Sequence, residues 1–264
     1  FRSRLSHLLM GRMLHAIQAE VDFQLVHIEG GTKDNVITRE CEVWLAVDKD
    51  QKQSLEVIVS NMENVFKAEY EVQDPDIKVT LEKDTHEGEA MDAEACKKLI
   101  SYLLIVPNGV MGFDHHMSGL VETSLNLGIL QMEDDCIRLA SAVRSSAATC
   151  KKEILEKLQT LAGVLGMTFE VKGDYPAWQY DSHSRIRDMA AELYEKMYHK
   201  KPVVTAIHAG LECGFIAEKC PGVDMISMGP DLEFIHSPEE RLSISSTARI
   251  YEYVLQLLEN LVSY

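Results

Sequence analysis

Apolar residues recur along this chain in two rhythms, one with the period of a helix and one with the period of a strand. Leu5, Leu9, Met13 and Ile17 fall on every fourth residue and predict an amphipathic helix at the start. No capping residue or initiator methionine precedes that stripe, so a further segment upstream is expected. Val43, Leu45 and Val47 alternate with Glu42, Trp44 and Ala46, the period-2 mark of a half-buried strand. A helix over 51–66, a strand over 77–81, a helix over 93–104 and strands over 120–131 and 137–143 follow. A helix carrying Ile154, Leu158, Leu161 and Leu165 and a strand over 167–171 complete the first part. This order predicts an α+β domain, an antiparallel sheet with helices on one face.

The turn-rich run Gly173-Asp-Tyr-Pro176-Ala-Trp178 breaks the pattern. Beyond it the rhythm predicts a helix over 184–198, strands over 203–207 and 225–228, and a terminal helix. That helix carries Ile250, Val254, Leu257, Leu258 and Leu261 on its apolar side. The pattern is α/β, but two strands are too few for a complete sheet. The segment is expected to close a sheet begun elsewhere.

Composition narrows the picture. The 264 residues are 46% hydrophobic and 26% charged, an ordinary globular balance with enough length for a sizeable core. The net charge of −16 counts against nucleic acid and anionic membranes as partners. No run of 18 apolar residues predicts a membrane span. The apolar opening is broken by His7, Arg12 and His15, unlike a secretory signal. The six cysteines include no Cys-x-x-Cys pair and read as reduced, buried thiols of a cytoplasmic protein.

Candidate chemistry gathers in turns. Gly30-Gly31-Thr-Lys-Asp-Asn35 reads as a Gly-rich loop between two strands, without the Gly-Lys-Ser/Thr ending of a phosphate loop. Asn35 both donates and accepts hydrogen bonds, which suits a carboxylate or amide ligand as well as a plain turn. Arg144 at a strand end suits a bidentate carboxylate clamp or a surface ion pair. His208 and Glu212 are spaced as a metal pair on one helix face. Gly210 between them favours a strand-to-helix turn, either structural or one whose backbone amides meet a substrate. Asp114-His115-His116 reads as a solvated loop, because adjacent side chains diverge. His236, before Ser237-Pro238, suits zinc ligation through one ring nitrogen or a backbone-satisfied loop position. A zinc site needs at least three protein ligands, and His236 is the one convincing candidate.

Five motifs together carry a family resemblance: GGTKDNVITRE (30–40), GLVETSLNLG (119–128), GDYPAW (173–178), HAGLECG (208–214) and HSPEER (236–241). In this order they resemble the bacterial aminoacyl-histidine dipeptidases, carnosinase-like Xaa-His dipeptidases of the two-zinc M20 metallopeptidase superfamily. The resemblance spans almost the whole chain. It implies a cytosolic enzyme whose α/β catalytic domain is interrupted by an α+β lid. Residues 1–177 would be the lid, and 178–264 the C-terminal part of the zinc-exopeptidase-like catalytic domain. It also implies two divalent metal ions, zinc in the family, and a glutamate that activates the bridging water. His236 matches the last metal ligand. Asn35, Arg144 and Gly210 match substrate-side positions, the first two toward the dipeptide carboxylate; His208 and Glu212 lie in the same turn as Gly210. The other ligands and the general base belong upstream of Phe1. No catalytic residue is therefore expected within this chain, and alone it should be inactive. Thr38 stands where the family usually has proline. The implied partners are a small dipeptide and a second copy in a homodimer. The competing readings are a non-enzymatic binding or dimerisation module on the lid sheet, or a relative of different small-peptide specificity.

Overall fold

The computed structural model describes residues 6–84, 88–133, 136–206, 211–235 and 237–262. The chain divides into two compact units, Phe1–Phe113 with Val121–Gly173, and Asp114–Leu120 with Asp174–Tyr264.

Unit 1 runs α1 (Ser6–Gln18), β1 (Phe23–Gly30), β2 (Cys41–Val47), α2 (Lys52–Glu69), α3 (Ala93–Ile105), β3 (Gly109–Phe113), β4 (Val121–Met132), β5 (Ile137–Ser145) and α4 (Ala148–Leu165). The five strands form one sheet in which every pairing is antiparallel, with β5 on one side of β4 and both β1 and β3 on its other side. Alternation along β4 sends Leu125, Leu127 and Leu130 inward. There they meet Leu25 and Ile28 of β1, Met10 and Leu14 of α1, Leu99, Ile100 and Leu103 of α3, and Ile154 and Leu158 of α4. Each such side chain, fully buried, contributes about 1.5–3 kcal/mol.

Helix α1 is buried more widely than a single stripe, because its other side (Leu9, Met13, Ile17) packs with Leu55, Ile58, Val59 and Phe66 of α2. Gly11 allows its close approach to α3: a Cβ there would lie 2.5 Å from Leu103 Cβ. Asp92 starts α3 by accepting the amides of Glu94 and Ala95, both at 3.0 Å. Gly166, at φ +67°, ends α4 in the left-handed conformation.

Two expected strands of this unit do not form. Over 77–81 only Lys78 makes an isolated bridge, while Ile77 is buried in the α1–α2 cluster. Over 167–171 no ladder follows α4 among the described residues. Strand β3, with glycines at two of its five positions, was not anticipated.

Unit 2 contains α5 (Arg185–Tyr198), α6 (Glu212–Lys219), a two-residue hairpin of β6 (Leu232–Glu233) and β7 (Arg241–Leu242), and α7 (Ile244–Val262). Ala190 and Leu193 of α5 and Tyr253 and Leu257 of α7 form its buried cluster, and Tyr253 Oη donates to the Ala190 carbonyl at 2.5 Å. Ser184 caps α5 through the Arg187 amide, at 3.1 Å, and donates its hydroxyl proton to Asp224 at 2.6 Å. The expected strands over 203–207 and 225–228 carry no ladder in their described residues. A strand needs a partner in register, and none of the described segments supplies one.

Among the described residues no helix is long and apolar enough to cross a membrane. All six cysteines are free. Cys41 and Cys96 are buried, and burial pushes the Cys41 thiol up to about 12; Cys136 and Cys220 are exposed, which corrects the expectation that all six are buried.

Candidate functional site

The middle of β4 lacks a strand on one side. Strand β3 pairs with β4 from Val121 to Leu125 and β1 pairs only at Leu130 and Gln131, leaving Asn126–Ile129 without a ladder on that edge. Unpaired backbone groups inside a fold are costly, so the gap has to be filled. Side chains fill it. Asn108 Oδ1 accepts the Leu127 amide at 2.7 Å, and His7 Nδ1 donates to the Leu127 carbonyl at 3.1 Å. Thr38 Oγ1 donates to the Gly128 carbonyl at 3.0 Å, and Ser6 Oγ donates to the Thr38 carbonyl at 2.9 Å. Thr38 is buried. Its hydroxyl supplies a donor that a proline at this position could not.

These contacts seat the loop after β1 directly on β4. Gly31 adopts φ +74°, and a Cβ there would fall 1.9 Å from the Gly128 carbonyl oxygen; a Cβ at Gly128 would fall 2.3 Å from the Asp34 oxygen. Both positions must be glycine for the two backbones to meet. The Val36 amide donates to the Lys33 carbonyl at 3.3 Å, closing a turn that contains Asn35. The Asn126 amide nitrogen donates to the carbonyls on either side of Asn35, Asp34 at 2.6 Å and Val36 at 2.9 Å. The backbone of Asn35 is thereby fixed from both flanks while Asn35 itself stays exposed.

Ser124 and Asn126 alternate with the buried Thr123, Leu125 and Leu127, so they project from the sheet face away from the helices. Arg144 pairs across from Ser124 on β5 and is exposed on that same face. Unit 1 thus brings two of the sequence candidates, Asn35 and Arg144, to the side from which Asn126 projects. Beneath them His7 is buried, and that burial holds its imidazole below the ordinary histidine range against the pull of the Leu127 and Gly30 carbonyls. Its Nε2 faces the Gly30 backbone.

In unit 2, Glu212 is the exposed first residue of α6. His208, Gly210 and His236 lie outside the described residues. The neighbours of position 236 form the β6–β7 hairpin, with Leu232 opposite Leu242 and Glu233 opposite Arg241. Phe234 there takes φ +55°, its carbonyl accepts Ser237 Oγ at 2.7 Å, and Arg241 reaches both Glu233 at 2.6 Å and the Phe234 ring at 5.0 Å. Asp114 Oδ1 accepts the amides of His116 and Met117, at 2.7 and 2.8 Å, so this segment is a side-chain-braced turn.

No three His, Cys, Asp or Glu side chains converge to hold a metal ion among the described residues. These residues do not by themselves fit a metal centre, and no chemical step is derived through one. What unit 1 offers is a polar turn seated on β4 and an exposed arginine near the end of β5, each of a chemistry suited to the carboxylate or amide of a small ligand. Sequence reasoning did not single out His7, Asn126 or Gly128. The available signal was the outward phase of Ser124 and Asn126 two residues before Gly128 within the motif at 119–128.

Residues 6–74 match the family described as the peptidase dimerisation domain. Relatives that it resembles include two dipeptidases and a desuccinylase. The chain is 32% identical over 253 residues to the cytosol non-specific dipeptidase of Escherichia coli (strain K12), covering 96% of this chain and 52% of that protein. It is 25% identical over 156 residues to the succinyl-diaminopimelate desuccinylase of Helicobacter pylori, covering 58% of this chain and 39% of that protein. The crystal structure of aminoacylhistidine dipeptidase from Vibrio alginolyticus matches with a TM-score of 0.89 and 32% identity, over 96% of this chain and 52% of that one. The resemblance to the aminoacyl-histidine dipeptidases is therefore shown in both sequence and structure. The chain spans about half the length of the dipeptidases it matches, 52% in each case.

Proposed function

We propose that this chain is the substrate-holding lid, together with the C-terminal part of the catalytic domain, of a cytoplasmic metal-dependent dipeptidase that hydrolyses Xaa-His dipeptides. The observation that carries the reading is the 32% identity along 96% of the chain to a dipeptidase, joined by a solved aminoacylhistidine dipeptidase of similar fold. Asn35 and Arg144 take the carboxylate end of the dipeptide, and the turn holding His208, Gly210 and Glu212 lines the substrate side. His236 is the one metal ligand the resemblance assigns to this chain. Two divalent ions, zinc in this reading, are completed by groups outside it, as is the water-activating base. The match of residues 6–74, which hold α1, β1, β2 and α2, to a peptidase dimerisation domain supports a homodimer.

The test is steady-state hydrolysis by the protein as its cell produces it, with glycyl-histidine, glycyl-leucine and N-succinyl-diaminopimelate offered in parallel. Preference for glycyl-histidine is expected. The desuccinylase relative favours a second reading, an amidohydrolase of acylated amino acids; preference for the succinyl substrate would establish it instead. The 264-residue chain alone, supplied with zinc, is expected to hydrolyse none of the three above background. Zinc-dependent turnover that survives repurification and disappears in His236→Ala would overturn that expectation.

A further inference from the structure

We infer that Asn126 is a positioning residue for substrate binding, acting through the turn that presents Asn35. This deepens, and rests on, the reading of Asn35 as a substrate-side residue. Three observations carry it. The first is chemical: one amide nitrogen, Asn126 Nδ2, spends both of its protons on the two carbonyls that bracket Asn35, at 2.6 and 2.9 Å. Asp at this position offers no such donor, and Ala offers nothing.

The second is topological. Asn126 sits where β4 has lost its ladder partner on one edge, so the turn is held to the sheet by side chains instead of by strand pairing. The third is steric. Gly31 and Gly128 let the loop backbone touch β4, and Thr38 ties the loop's far end to the Gly128 carbonyl. The loop is therefore anchored at both ends, and Asn126 ties the stretch around Asn35 to β4 between them. Asn126 and Arg144 also project from the same sheet face. Setting the Asn35 turn by Asn126 fixes it relative to the strand pair that carries Arg144.

A turn held by two neutral hydrogen bonds populates its binding conformation less when they are removed, and apparent affinity falls with that population. Asn126→Ala is expected to raise KM for glycyl-histidine by about tenfold or more with kcat changed by less than about threefold. The protein is used as its cell produces it, with its metal. Amide hydrogen exchange supplies the independent readout: exchange at residues 33–36 should quicken in Asn126→Ala while amides of β4 and β5 keep their protection. Asn126→Asp, which retains size but not the donors, should behave alike, and Asn126→Gln should recover part of the loss. In the Asn35→Ala background, Asn126→Ala should add nothing to KM.

Additive effects of the two substitutions, or unchanged exchange at 33–36, overturn the inference. So does a wild-type KM in Asn126→Ala beside a defective Asn35→Ala, which leaves the reading of Asn35 standing. A wild-type KM in Asn35→Ala, or a wild-type protein without dipeptidase activity, overturns that reading and this inference with it.

Discussion

Unit 1 and unit 2 differ in how far each closes on itself. In unit 1 a five-stranded sheet and four helices bury residues such as Leu14, Ile28, Phe66 and Leu130 completely. In unit 2 the buried cluster is four side chains on two helices, while Val203, Ile244 and Val262 are 86%, 87% and 89% exposed. The hydrophobic effect scales with area removed from water. The free energy that makes this chain fold is therefore concentrated in unit 1, and unit 2 depends more on local devices such as caps and the hydrogen bonds of Tyr198 to the Arg249 carbonyl and Tyr253 to the Ala190 carbonyl.

The comparison is tested most strongly by making one substitution in both units. Leu130→Ala in β4 should cost near the upper end of the ~2–5 kcal/mol range for buried leucines, and Leu193→Ala in α5 near its lower end or below. Chemical denaturation followed by hydrogen exchange in each unit reads the two costs; equal values would erase the distinction drawn here. A smaller effect is expected from Asp224→Ala. Asp224 accepts Ser184 Oγ at 2.6 Å and the Ile186 amide at 2.9 Å at the start of α5, and losing such a cap costs about 1 kcal/mol. The loss should appear as faster exchange within unit 2 alone.

The smallest effect near neutrality is a difference in pH windows. Burial lowers the pKa of His7, so as pH falls below about 6.5 the unfolded chain takes up a proton that the fold resists. Unit 1 should begin to lose stability there. For Asp224, burial opposes ionisation but is outweighed by Ser184, the Ile186 and Arg185 amides and the charge of Arg187. Its pKa lies below the usual carboxylate range. That contribution to unit 2 persists until pH falls to about 4 and is lost below it. Melting curves at pH 7.5 and 5.5 should therefore separate the units, with a shift in unit 1 that His7→Gln abolishes.

Helices and the long strands were legible in the sequence because each has a periodic face: 41–47 alternates cleanly, α2 and α3 lie within a few residues of their expected spans, and α4 contains all four of its expected apolar positions. Where legibility failed, the cause was pairing. The segments over 77–81 and 167–171 alternate like strands, and 203–206 and 225–228 are short, largely apolar runs, but such patterns record only what a segment can pair with. Strand β3 escaped notice for the converse reason: its Gly-Val-Met-Gly-Phe sequence is irregular, and β4 supplies the regularity. The candidate site was legible as residues and not as an arrangement. Asn35 and Arg144 were picked out by type and by resemblance. Their support is a set of long-range contacts, Asn126 reaching across 92 positions to Asp34 and His7 across 120 to Leu127. No local pattern encodes such contacts.

Those separations also set the order in which the loop can form. Its hydrogen bonds to the middle of β4 cannot be made until segments roughly a hundred residues apart have met. The entropy of closing that large loop comes before any of the contacts that reward it. The turn bearing Asn35 should accordingly be among the last parts of unit 1 to become native during folding. The same seating that makes it rigid in the finished molecule makes it a late arrival.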